Sequence, residues 1–245
     1  MTRQQFLAKR IETIRNLISG EFPAVSSDRA KAASIDIVAV TKAASDEDFL
    51  AMASLNLPLA ENRWDQLVSR MLMARNSSLD PSFHFIGALQ RRSTKEKGIP
   101  VSLISTVDRE GILPVLDHMA LSHAVRQNIL VEIDLSGIPG RSGVSGESLP
   151  ALLDAISKIG SLRLRGILVM GVPPSPSGDL AETRRIFERG KNIYDWLAGQ
   201  WPGIDTLSMG MSGDFLEAVR AGSTQLRLGA ILFGKEEIIG KDHSV

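Results

Sequence analysis

Cysteine is absent from the 245 residues, which removes disulfides, thiolate metal sites, iron–sulfur clusters and thiol nucleophiles together. The four histidines are too scattered to form a metal-binding cluster. An excess of one charge is also lacking. The 28 Lys and Arg are matched by 28 Asp and Glu, so the basic surplus of a general nucleic-acid binder is missing. No apolar run approaches the ~20 residues that span a bilayer. Residues 1–22 distribute their charges along an amphipathic pattern of Leu7, Ile11, Ile14 and Ile18 and hold no compact signal core. They predict a docked N-terminal helix in a cytoplasmic protein that binds neither nucleic acid nor membrane.

What is present is ordinary globular material, 43% hydrophobic, enough for a large core in one big domain or two small ones. Short β-branched or apolar runs recur at residues 35–41, 57–62, 83–87, 101–107, 129–135, 164–172, 206–210 and 226–233. Helical patterns follow most of them. Ser45-Asp-Glu-Asp48 opens one as a capping box, and Trp64, Leu67, Val68, Met71 and Leu72 share a face of the next. Others cover about 109–123, 148–159, 179–198 and 213–221; the segment after the third run is the weakest. Eight strands alternating with helices over this length predict a single (β/α)8 TIM barrel, α/β in class, with an additional N-terminal helix closing the helical ring. The domain covers 1–245, with 241–245 a flexible tail. A doubly wound sheet is the alternative, but no Gly-x-Gly-x-x-Gly turn follows the first strand.

Chemistry in such barrels sits at the C-terminal strand ends. There the sequence delivers Lys42, Glu61-Asn62, Gly87 with Gln90, Arg141-Ser-Gly143, Ser208-Met-Gly-Met-Ser-Gly-Asp214 and Arg227-Leu-Gly-Ala230. The first of the last two segments follows strand seven and the second lies within the eighth run, near the frequent phosphate position after strands seven and eight, and their small residues suit backbone N–H groups aimed at an anion. A strand-end lysine facing such a site could form a Schiff base with an aldehyde. A sugar-phosphate enzyme with an aldolase-type lysine remains open on these grounds.

The stretches Ala39-Val-Thr-Lys42, Glu61-Asn62, His84-Phe-Ile-Gly-Ala-Leu-Gln90, Ser208 to Asp214, Ala221-Gly-Ser-Thr224 and Arg227-Leu-Gly-Ala-Ile-Leu-Phe-Gly234 together resemble the pyridoxal phosphate homeostasis proteins, relatives of the alanine racemase N-terminal barrel. The resemblance implies that Lys42 carries pyridoxal 5′-phosphate (PLP) as an internal aldimine. It places Ser208, Gly229 and the backbone of Ala230 around the phosphate, Asn62 near the ring, Arg141 near the ring hydroxyl and Arg227 at the pyridine nitrogen. A cation there disfavours ring protonation and weakens the electron sink. His84 is divided evenly between a ligand contact and a hydrogen-bonded barrel histidine. This sequence departs from the family in Ala43-Ala-Ser45 after the lysine, in Arg91-Arg-Ser93, in Arg141 for a lysine and in Ala230 for a threonine. The last change removes a hydroxyl whose bond to a charged group is worth about 1–3 kcal/mol.

Two functions follow from the resemblance. One is intracellular PLP homeostasis with little or no catalysis, the partners being PLP and PLP-dependent apo-enzymes and the chain a monomer or weak dimer. The other is an amino-acid racemase. Racemisation needs a second acid–base group, which alanine racemase takes as a tyrosine from a second domain. Tyr194 is the one tyrosine here, and it falls on an outer helix. The length is expected to leave no room for a second domain, so homeostasis is favoured.

Overall fold

A computed structural model describes residues 1–22 and 34–234; the expected tail at 241–245 lies outside them. Helix α1 (Arg3–Gly20) precedes eight parallel strands: β1 (Asp36–Val40), β2 (Leu59–Glu61), β3 (Phe83–Phe85), β4 (Leu103–Val107), β5 (Gln127–Ile133), β6 (Leu162–Val169), β7 (Thr206–Ser208) and β8 (Gln225–Leu228). They close in sequence order, with Val38 of β1 in register with Arg227 of β8. Helices α2 (Asp46–Ala53), α3 (Trp64–Asn76), α4 (Arg91–Lys97), α5 (Leu113–Ser122), α6 (Leu149–Ser157), α7 (Ala181–Gln200), α8 (Phe215–Arg220) and α9 (Ala230–Phe233) surround them. This is the expected (β/α)8 barrel.

Helix α1 closes the ring, and its sequence explains how. Thr2 caps it by accepting from Gln5 N–H, with Gln5 bonding back to Thr2 N–H. Leu7, Ile14 and Ile18 recur on one face and are buried, each stabilising by about 1.5–3 kcal/mol. Arg10 Nε donates to Ile231 O at 2.8 Å, and Arg3 pairs with Asp48. The first described helix thereby joins α2 to the short α9.

Three local differences from the sequence reading have physical causes. The eighth run ends as a strand at Leu228, because Gly229 turns out of extended geometry (φ −128°, ψ −77°) and residues 230–233 coil into one helical turn. On α3, Leu72 is 56% exposed while Arg70 is buried; the guanidinium finds Asp46, Ala44 O and the Phe49 ring, compensation that hydrophobic periodicity does not register. Helix α4 forms on little apolar content: its one buried residue, Thr94, receives the Trp64 indole N–H at 3.3 Å.

Most of the core lies between strands and helices. Phe83 stacks on Phe49, and Phe85 lies 3.8 Å from Trp64 at 6°, so both phenyls face the helices and His84 between them faces the lumen. There Leu103, Leu130 and Leu168 form a separate small cluster with Met170.

Candidate functional site

Above that cluster, at the C-terminal strand ends, a cavity of about 510 Å³ opens. Lys42 enters from the turn after β1, Asn62 from β2, Gly87 from the β3 loop and Thr106 from β4. Glu132 comes from β5, Met170 from beyond β6, Ser212 and Gly213 from the β7 loop, and Arg227, Gly229 and Ala230 from β8 and its turn.

Five of the eight expected site residues, Lys42, Asn62, Arg227, Gly229 and Ala230, line this one cavity. Ser208, His84 and Arg141 do not. Ser208 is fully buried at the end of β7, donating to Gln225 Oε1 at 2.9 Å and accepting from Arg227 Nη1 at 2.8 Å. It therefore orients Arg227 rather than facing a ligand. Ser212 stands at the wall instead, because Gly210 turns the chain at φ +93°, a conformation that disfavours side chains. Its hydroxyl accepts from Gly229 N–H at 3.3 Å and Ile231 N–H at 3.2 Å. His84 lies deeper in the barrel. Burial holds its pKa down at about 4, and its Nδ1 has no partner among the described residues. Arg141 donates from Nη2 to Gly171 O at 2.7 Å, and its neighbour Ser142 reaches the cavity. Met209 is core, whereas Met211 lines the rim. Tyr194 sits on α7 outside the cavity lining.

The cavity is prepared for an acceptor. Arg227 Nη2 at its wall is buried without a partner among the described residues, as is Arg141 Nη1 outside the lining, and an unmade bond to a buried charged donor is costly. The N–H groups of Ser212, Gly213 and Ala230 also meet no acceptor among the described residues. Burial draws Arg227 down to about 10, against the favourable charges of Asp214 and Glu132; it remains a cation at neutral pH.

Glu132 was hidden in the sequence by its place inside an apolar run, although a carboxylate between Val131 and Ile133 was the available signal. Desolvation first, then Asp108, pushes its carboxyl up to about 7, opposed by Arg227 and Arg141. A carboxyl raised above its ordinary 4.5 contributes stability that is full below that pH and is lost as pH rises through about 7. Glu132→Gln is therefore expected to match the ligand-free parent near pH 4.5 and to exceed it above pH 8 by about 1–3 kcal/mol. Urea melts at the two pH values check this, and a variant less stable at pH 8 would refute it.

The chain is similar to known proteins over nearly its whole length. The model of the alanine racemase N-terminal domain matches residues 7–237. The pyridoxal phosphate homeostasis protein of Pasteurella multocida is 28% identical over 97% of this chain and 99% of its own. That of Vibrio cholerae is 34% identical over 69% and 70%. PipY of Synechococcus elongatus with PLP bound shares the fold at TM-score 0.75 and 24% identity, covering 93% of this chain and all of that one. An alanine racemase of Clostridium difficile superposes at TM-score 0.65 and 16% identity, with 97% of this chain matched to 59% of that enzyme. By domain and by relatives, this chain belongs to the alanine racemase N-terminal domain family and, within it, to the pyridoxal phosphate homeostasis proteins.

Proposed function

We propose that the chain binds PLP reversibly at this cavity and serves PLP homeostasis, releasing the cofactor to PLP-dependent apo-enzymes. The observation that carries the reading is the convergence around 510 Å³ of one lysine, the buried Arg227 guanidinium, whose Nη2 has no partner among the described residues, and three backbone N–H groups that likewise meet no acceptor there. When bound, PLP supplies an aldehyde that links covalently to an amine and a ring that delocalises charge. Lys42 would take the aldehyde end. Ser212, Gly213 and Ala230 N–H groups would hold the phosphate, and Arg227, aimed by Ser208, would hold the ring nitrogen. Asn62 and Thr106 narrow the wall. Carrying over PLP from the relatives' printed names agrees with this donor set.

The racemase reading retains one observation in its favour. Glu132 gives the cavity an ionisable group near neutrality, of the kind a proton transfer needs. Purified chain loaded with PLP should absorb in the near-visible, and borohydride should fix the cofactor to Lys42. No uptake would end the proposal. Incubation with single enantiomers of alanine separates the readings, because sustained Lys42-dependent inversion would replace homeostasis with catalysis.

A further inference from the structure

The turn that carries Lys42 is held from behind by side chains that do not line the cavity. Its backbone closes through Ala44 N–H to Thr41 O at 2.9 Å, while the Lys42 amine itself has no hydrogen-bond partner among the described residues. A long side chain with a free tip is aimed by its backbone, and three contacts fix that backbone. Gln66 Nε2 donates to Lys42 O at 3.1 Å. Arg70 Nη2 donates to Ala44 O at 2.6 Å. Thr41 Oγ1 donates to Glu61 Oε1 at 2.5 Å.

Gln66 and Arg70 are four residues apart on α3 and share a face. Arg70 is spread over several anchors: Nη1 reaches Asp46 at 2.7 Å, the guanidinium lies 4.6 Å over Phe49, and Nε stands 4.0 Å from Glu61. Glu61 is fully buried, and its Oε2 has no hydrogen-bond partner among the described residues. A buried carboxylate and a buried guanidinium are expensive to keep. Here both are spent on one four-residue turn.

We propose that Arg70 and Glu61 are positioning residues for Lys42, fixing residues 41–44 so that the amine enters the cavity facing Gly229 and Ala230. The inference rests on Lys42 being the amine that receives PLP, but half of its test needs no cofactor. Arg70→Lys keeps a cation beside Asp46 and Phe49 while losing the planar second donor to Ala44 O. Thr41→Val keeps shape and loses the hydroxyl to Glu61.

The test uses the full chain. Without PLP, amide hydrogen exchange at Ala44 should accelerate about tenfold in each variant, the scale of one lost hydrogen bond, with β5 and β6 amides unchanged. With PLP, the fraction of bound cofactor that borohydride fixes to Lys42 should fall at least about threefold on the same scale, while cofactor held without the covalent bond persists. If one variant folds poorly, the other decides. Exchange at the parent rate overturns the proposal, and so does a loosened turn with the fixed fraction unchanged. A parent chain that takes up no PLP overturns the cofactor reading instead, and exchange then decides alone.

Discussion

Lys42→Ala is expected to abolish all PLP fixed by borohydride while leaving the thermal midpoint nearly unchanged. Lys42 is exposed at its turn, and substitutions at such positions stay within about 0.5 kcal/mol. The chemical effect is total for a different reason: among the described residues no other lysine lines the cavity, so none of them offers a substitute amine. The N–H groups at Ser212, Gly213 and Ala230 and the Arg227 guanidinium are untouched, so weaker phosphate-held binding should persist, by about tenfold or more in Kd for the lost covalent link. Mass spectrometry after borohydride and equilibrium dialysis of the same samples separate the two components. Fixed cofactor at parental stoichiometry in Lys42→Ala would remove Lys42 from the site.

Gly87→Ala should damage the cavity wall and the fold together. A Cβ built on Gly87 would stand 1.9 Å from Asn62 O and 2.6 Å from Asn62 C. Both are backbone atoms of the adjoining cavity wall, so no side chain can swing away. Forcing such a methyl into packed structure costs about 3 kcal/mol, or more where the backbone must move. Relief would displace Asn62, and PLP uptake should fall together with stability. Urea denaturation and cofactor titration of the variant check both. Parental stability would mean that the two loops part freely at this point.

The barrel was legible because eight short apolar or β-branched runs alternate with helical patterns along the chain, as parallel strands covered by helices do. Lys42 and Asn62 were legible because the same pattern fixes the ends of their strands, whereas Arg227, Gly229 and Ala230 lay inside the eighth run and were legible from the family resemblance. Ser208 and Ser212 were harder. They lie four residues apart, Ser208 ending β7 and Ser212 in the loop after it, and the turn at Gly210, with its positive φ, separates the buried hydroxyl from the one at the wall. Glu132 lies within β5, inside an apolar run and short of the loop, where no strand-end pattern marks it. Arg70 is buried although it lies outside the apolar positions of its helix, and its partners come from α2 and the Lys42 turn, which no local pattern predicts.

The cavity straddles the seam at which the barrel closes. Lys42 follows β1 and Gly229 follows β8; these strands are paired neighbours, although nearly the whole barrel sequence separates them. A molecule held simultaneously by Lys42 and by the Ala230 turn would act as a clasp across the first and last staves. Loading and ring closure are then thermodynamically linked, and each tenfold rise of free ligand above its Kd would add about 1.4 kcal/mol to the closed ring. A cell's supply of the bound molecule would thus be registered as the persistence of the barrel itself.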